Sequence, residues 1–432
     1  MRAGSALVAI SLIAHGASWA QSSGTISGTV QATDGRLNPY FAAGYTAASP
    51  AGARQSHGFS GIRDLQDATV KLYIYQTTSI YDVRYTRLSP TGTYSIPWST
   101  TYTPIKIKVA IAASRPDIGA GVVTASSPSY QFAVDGPAGT IVQSITRSTA
   151  FVGNLTVNFT IPASGAIDTY LTAHEVFAMW DAMGNPTTGG SIRSDMTGLV
   201  ITRDSAIIGG VTPDPHSILV NPSIPTSLPD VVAHEMGHAL VWASLDVPAA
   251  VVGPPDYLCI FPGKDDSNPS WDDFSYECEK VAFQEGFAIA HTGLWMWLRN
   301  SSNRNIRGGS SFYGLEGAGT CNSGADEDNR PGCNARGIWD IIDNSPSDGD
   351  GITNRDLSDI VSAFRGFQDY CPACLDNHCA YEGWPWDSLI CLGDVDANNW
   401  KDFKYNFSLL FGQSTELNGI EGNNGLAAQS ND

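Results

Sequence analysis

Basic residues are scarce in this chain. Its 432 residues carry 24 Lys and Arg against 43 Asp and Glu, for a formal net charge of −19. Neutralising phosphates requires cation-rich stretches, so the balance argues against nucleic acid or an anionic membrane surface as a partner. The acidity itself reports mainly on solubility. Cysteine is missing from the N-terminal half: the first is Cys259, so everything before it must fold on its apolar core alone. Beyond the first twenty residues no uninterrupted apolar run approaches the roughly eighteen needed to cross a bilayer, and no membrane span is expected.

What is present begins with an export signal. Arg2 precedes an apolar run from Ala6 to Ala14, and Ala17-Ser18-Trp19-Ala20 follows as a small-residue cleavage site. The pattern predicts a signal peptide over residues 1–20 and a chain secreted to the extracellular space or a periplasm. All eight cysteines, from Cys259 to Cys391, suit that compartment. An even count in an exported chain predicts disulfides, with Cys259–Cys278 and Cys321–Cys333 as the nearest-neighbour pairings. The spacing of Cys371, Cys374 and Cys379 would also suit a zinc knuckle, a reading that export disfavours.

Residues 21–163 read as a β-sandwich, either an accessory domain or a prosegment. Alternating runs at 69–75 (TVKLYIY) and 105–111 (IKIKVAI) are strand signals, and Pro90-Thr91-Gly92 is a turn. The texture changes around Ile161-Pro162-Ala163-Ser164-Gly165. Residues 164–392 are expected to form an α+β catalytic domain. It opens with an amphipathic helix over Ala166–Met183, with Tyr170, Val176, Phe177 and Trp180 on the apolar side. Strands at Gly198–Thr202 and Ser217–Asn221 follow. His174, on the first helix, is read as structural or exposed. Residues 393–432 are expected to be a tail, with Gln413–Asp432 polar enough to be disordered.

One run carries a chemistry: His234-Glu235-Met236-Gly237-His238. Ser227, Pro229 and Asp230 before it form a capping box with proline in the first turn. Val231, Val232, Ala233, Ala239, Leu240, Val241 and Trp242 surround it with apolar, helix-compatible residues. Histidines four apart lie about 40° apart around a helix, so both imidazoles can reach one ion. Glu235 lies on the same side, where it can take a proton from water on that ion. A polar trio in an apolar helix is costly unless satisfied, and a metal satisfies it.

Catalytic zinc usually takes three protein ligands. No histidine occurs between His238 and Asp246, which rules out the extended H-E-x-x-H-x-x-G-x-x-H arrangement of metzincins. The third ligand is therefore sought downstream, on a helix capped by Asp272 or Asp273 and running to about Leu298. There Glu285 sits among Ala282, Phe283, Phe287, Ala288 and Ile289. A carboxylate in such an apolar wall is paired or binds metal. An ion pair with another helix is the competing reading.

The HEMGH helix, followed one helix later by Glu285-Gly286-Phe287-Ala288, resembles the gluzincin metallopeptidases, the clan of thermolysin-like enzymes. Gly337-Ile338-Trp339-Asp340-Ile341-Ile342-Asp343 is similar to a helix found after the glutamate in several exported members. The likeness spans about Ala166–Phe367. It implies a zincin-type fold, zinc (Zn2+) held by His234, His238 and Glu285, and Glu235 as general base in hydrolysing a protein or peptide substrate. The chain departs from the pattern at Ile289, where thermolysin-like enzymes carry an Asp that orients a zinc-bound histidine. Asp340 and Asp343 are the candidates to replace that acceptor. The longer stretch between His238 and Glu285, with Pro254-Pro255, reads as a surface insertion shaping the cleft. His291, Tyr257, Tyr276 and Tyr313 are the candidates for stabilising an oxyanion. In the N-terminal part, Ile26-Ser27-Gly28-Thr29-Val30, Val70-Lys71-Leu72-Tyr73 and Thr93-Tyr94-Ser95-Ile96 resemble the carboxypeptidase-regulatory-like sandwiches appended to exported enzymes.

The resulting expectation is a multidomain chain, an N-terminal β-sandwich plus an α+β zincin-type catalytic domain, acting as a secreted zinc endopeptidase. An extended substrate would add as a strand to Ile218–Asn221 or Leu199–Thr202. Calcium is a second candidate cation, at Asp348-Gly349-Asp350-Gly351 and Asp394-Val395-Asp396-Ala397-Asn398. Two other classes stand beside this reading. One is an exported binding or surface protein with an idle zinc domain, against which the intact Glu235 argues; the other is a zinc hydrolase of a non-peptide substrate.

Overall fold

Period-two burial builds the N-terminal half. In the segment Thr93–Thr100 every second residue is buried (Tyr94, Ile96, Trp98, Thr100), as a strand with one solvated face requires. The structure, a computed structural model, describes residues 22–36, 61–76, 78–102, 106–118, 121–124, 126–148, 153–183, 196–207, 210–214, 216–223, 228–244, 279–299, 305–308, 311–314, 321, 331–342, 352, 355, 357–365, 400–424 and 426.

The strands of the first half are β1 (Ser22–Thr33), β2 (Ile62–Asp64), β3 (Thr69–Tyr75), β4 (Ile80–Arg87), β5 (Thr93–Thr100) and β6 (Lys106–Ala112). They continue with β7 (Ser114–Pro116), β8 (Val123–Thr124), β9 (Tyr130–Val134), β10 (Ile141–Arg147), β11 (Leu155–Thr156) and β12 (Phe159–Ile161). In one sheet β1 is the hub, antiparallel to β5 from Ser22↔Thr100 to Thr29↔Thr93, antiparallel to β2, and parallel to β11 and β12. A second, antiparallel sheet runs β10-β6-β3-β4-β8. Ile26, Val30, Ile96 and Trp98 of the first and Val70, Leu72, Ile74, Val109 and Ile111 of the second belong to one continuous core.

Helix α1 (Gly165–Met183) begins after Ser164, whose Oγ accepts from the Ile167 amide at 3.4 Å. After it come β13 (Leu199–Arg203), β14 (Gly210–Asp214), β15 (Ser217–Val220), α2 (Leu228–Ser244), α3 (Glu279–Arg299), β16 (Asn305–Gly308) and β17 (Ser311–Gly314). The last described elements are α4 (Pro331–Ile342), α5 (Leu357–Arg365), α6 (Trp400–Phe411) and α7 (Ser414–Asn424). The protein is thus a mixed α/β chain with several sheets and seven helices among the described residues. None of those helices is long and apolar enough to cross a membrane.

The third large sheet changes the expected organisation. Its order is β14-β15-β13-β9-β7, with β13 parallel to both β15 and β9. Strands β7 and β9 precede residue 163 and β13 to β15 follow it, so a boundary between 163 and 164 divides a single sheet. The reason lies in β9: Gln131, Phe132, Ala133 and Val134 are all buried, as a strand covered on both faces must be. Phe177 of α1 stacks on Phe132 at 5.0 Å between ring centroids.

A charge network closes the same seam. Arg36 pairs with Asp34 at 2.7 Å and with Glu175 of α1 at 2.8 Å, and the side chains of Arg36 and Asp34 have no solvent exposure. Arg63 reaches Glu175 at 2.8 Å and Asp34 at 3.3 Å. Nearby, His174 Nε2 lies 3.0 Å from Asp67, which confirms a structural role for that histidine.

The C-terminal segment also differs from the expectation of a disordered tail. Helix α7 occupies Ser414–Asn424, with Leu417, Ile420 and the following Leu426 buried. A Cβ at Gly337 of α4 would lie 2.6 Å from Leu426, so this end of the chain packs directly on α4. The segment reads as polar because only a narrow stripe of it is apolar. Helix α6 adds Trp400, Phe403 and Phe407 to the core, and Phe403 packs on Phe283 of α3 and Phe364 of α5 at 5.5 and 5.7 Å. Of the predicted disulfides, Cys321–Cys333 is formed and anchors the first turn of α4. The other six cysteines, the signal segment and both calcium candidates lie outside the described residues.

Candidate metal centre

Helix α2 is buried almost all round: Val232, Ala233, Met236, Ala239, Leu240 and Val241 have at most 1% exposure. It starts at Leu228; Ser227 of the expected capping box lies outside the described residues. Helix α3 is described from Glu279, and Asp272 and Asp273 fall outside. Two glycines allow the helices to approach. A Cβ at Gly237 would stand 3.0 Å from the Ala288 Cα on α3, and one at Gly286 would stand 2.5 Å from the Asn334 Cβ on α4. Gly237 adjoins a histidine of the motif and Gly286 adjoins Glu285, so two close approaches between helices fall beside the polar groups they bring together.

The result is a triangle. His234 Nε2 is 3.0 Å from Glu285 Oε2, His238 Nε2 is 3.1 Å from His234 Nε2, and His238 Nε2 is 3.3 Å from Glu285 Oε2. The two imidazole rings meet edge to face, 4.7 Å apart. Donors about 2.0–2.1 Å from a tetrahedral ion stand roughly 3.3–3.4 Å from one another, so the triangle is close to the size such an ion needs. The donor set of two imidazole nitrogens and a carboxylate oxygen suits a borderline divalent ion. This His-His-Glu cluster can hold a metal ion, and no other such cluster occurs among the described residues.

Electrostatics favour the ligating form of Glu285. Burial pushes its carboxyl up, but His238 and His234 beside it outweigh burial and hold it well below the usual carboxylate range. Glu235 behaves oppositely. Burial raises it, Glu285 adds to the rise, and the attractions of His238, His234 and the Thr212 hydroxyl only partly oppose this. Two carboxylates near one another are thus pushed apart, one kept ionised and the other moved towards neutrality, the pattern expected when one binds and the other exchanges protons.

Sequence reasoning placed all four residues together but missed what holds Glu235. Thr212 Oγ1 of β14 donates to Glu235 Oε2 at 2.7 Å. The segment Gly210-Val211-Thr212-Pro213-Asp214 reads poorly as a strand because of its glycine and proline. Proline at a sheet edge is the signal that would have found it, and β14 is an edge strand.

One other expectation is corrected. His291 is fully buried, and both its ring nitrogens are engaged: Nδ1 with the Ala233 carbonyl at 2.9 Å and Nε2 with the Trp180 indole N–H, also at 2.9 Å. It therefore donates to α2, accepts from α1, and has no donor left for an oxyanion. Burial drives its pKa down to about 3, so it stays neutral. Ile289 packs in the core at 4% exposure, and Asp340 accepts from Asn424 Nδ2 at 2.6 Å. Asp343, Tyr257, Tyr276 and the side chain of Tyr313 lie outside the described residues.

The substrate strands also need correction. β13 lies between β15 and β9, and β15 lies between β14 and β13, so neither Leu199–Thr202 nor Ile218–Asn221 offers an edge. The edge nearest α2 is β14. No family model matches this chain, and no curated protein matches it.

Proposed function

We propose that this chain is a secreted, zinc-dependent peptidase of the gluzincin type, cleaving peptide bonds in protein substrates. The observation that carries the reading is the His234–His238–Glu285 triangle with the buried Glu235 on the same helix. A zinc ion there would supply Lewis acidity, polarising a scissile carbonyl and making a water easier to deprotonate. The chain's own residues do the rest. Glu285 stays ionised as a ligand, and Glu235 takes the proton from the attacking water and returns it to the leaving amine. Its raised pKa suits both steps. The outer edge of β14, beside α2, supports an extended peptide as an added strand, with Val211 exposed to meet a side chain.

The test is cleavage of casein by the purified protein. Cleavage is expected to stop after dialysis against a chelator and to return with one equivalent of zinc. Undiminished cleavage by protein shown to be free of metal would overturn the reading.

A further inference from the structure

We propose that Thr212 is a positioning residue for the general base, holding one oxygen of Glu235 so that the other is the proton acceptor. The inference rests on the peptidase reading above and adds a residue to it. The register of β14 against β15 slips between Val211 and Asp214, yet residues 210 and 212 both face α2: the Thr212 hydroxyl reaches Glu235 at 2.7 Å, and a Cβ at Gly210 would lie 2.6 Å from the same carboxylate. Val211 between them is 40% exposed. The two inward positions meet the two oxygens of one carboxylate.

Thr212 and Glu235 are each only 6% exposed. The threonine hydroxyl has a single proton, and two acceptors lie within reach: Glu235 Oε2 at 2.7 Å and the Glu235 backbone carbonyl at 3.0 Å. The shorter contact goes to the carboxylate, as the stronger, charge-assisted acceptor would have it. At position 210 an added Cβ would fall 2.6 Å from Glu235 Oε1, 2.7 Å from its Cγ and 2.7 Å from Val231 Cγ1. Any residue larger than glycine would press on the oxygen that Thr212 leaves alone.

A glutamate carboxylate turns easily about its last torsion, which has a broad, roughly twofold profile that interchanges the two oxygens. A base that must accept a proton in one direction loses effectiveness when it samples others. The Thr212 hydrogen bond breaks the equivalence of the oxygens. Oε2 is committed to the strand, and Oε1 keeps its lone pairs beside the space left at Gly210. The strand that offers its outer edge to substrate therefore also sets the base, so pushing β14 away from α2 would disturb both.

The experiment compares Thr212→Val, which has the same shape without a hydroxyl, and Thr212→Ser, which keeps it. Glu235→Gln serves as the control. Steady-state cleavage is read on an internally quenched peptide taken from a casein bond cut by the wild type, alongside zinc per chain. Thr212→Val is expected to lower kcat about ten- to hundredfold, with KM within about twofold and zinc content unchanged. Thr212→Ser should restore most of kcat, which a merely structural role for the side chain would not predict. A Thr212→Val enzyme with wild-type kcat, or a Thr212→Ser enzyme as slow as the valine variant, overturns the proposal.

A crystal structure of Thr212→Val gives a readout independent of turnover. The Glu235 carboxylate should lose its single orientation, and an unchanged, equally ordered Glu235 overturns the proposal. Failure of the peptidase reading looks different, because Glu235→Gln would then cleave as fast as the wild type.

Discussion

Glu235→Gln is expected to lower casein cleavage by about 10²–10⁴-fold while leaving the metal content per chain at the wild-type level, because general-base assistance is lost and no ligand is touched. The substitution is close to isosteric. The glutamine amide oxygen still accepts from Thr212 Oγ1, which donates to Glu235 at 2.7 Å, so the contact between β14 and α2 survives. Burial already favours the neutral form at this position, and a neutral amide should not cost stability. The loss should therefore appear in kcat with an unchanged melting temperature. A glutamine variant that retains its metal and cleaves as fast as the wild type would remove Glu235 from the mechanism.

The second large effect concerns the seam rather than the site. Arg36→Ala is expected to destabilise the protein by about 3–5 kcal/mol, the usual result of removing one partner from a buried charge cluster. The substitution leaves Asp34, whose side chain has no solvent exposure, with Arg63 at 3.3 Å as its remaining cationic contact, and takes from Glu175 one of its two guanidinium partners at 2.8 Å. The damage should reach α2. Glu175 lies on α1, Trp180 on the same helix donates to His291, and His291 donates to the carbonyl of Ala233, next to His234.

The pH dependence follows from Asp34. Burial raises its carboxyl, but Arg36 and Arg63 outweigh burial and bring the folded value below the usual one near 3.8. Stability from this group is therefore present above about pH 4 and is lost as pH falls through the depressed folded value. In Arg36→Ala most of that contribution is absent at neutral pH as well. Urea unfolding at pH 7 and at pH 3 measures both effects, and a loss below about 1 kcal/mol at pH 7 would show that the network contributes little.

The site was legible from sequence because its parts are local or chemically unambiguous. His234, Glu235 and His238 share one helix face by periodicity, and Glu285 stood out as a carboxylate in an apolar wall. The close contacts behind them were not legible. That Gly237 and Gly286 are small because helices α3 and α4 pass within 2.5–3.0 Å of their missing side chains depends on the tertiary crossing. Thr212 was missed because Pro213 and Gly210 hide an edge strand. His291 was one of four candidates for stabilising an oxyanion, none of which stood out, and only the fold shows Trp180 and Ala233 occupying both its nitrogens.

The sheet that spans residue 163 was not legible for a related reason. The change of composition near residue 163 marks where helices begin, but β7 and β9 belong to the sheet that β13 to β15 complete. Pairing between distant strands leaves no local signature. The C-terminal helices were missed because α7 buries only a thin apolar stripe, which reads as polar when averaged along the segment.

The central claim is that His234, His238 and Glu285 together hold one catalytic metal. Zinc per chain, measured by elemental mass spectrometry after equilibrium dialysis of the wild type and of His234→Ala, His238→Ala and Glu285→Ala, tests it most directly. One equivalent in the wild type and loss of tight binding in each variant is the predicted result. A wild type that binds no zinc, or a Glu285→Ala variant that holds it as tightly as the wild type, would contradict the claim.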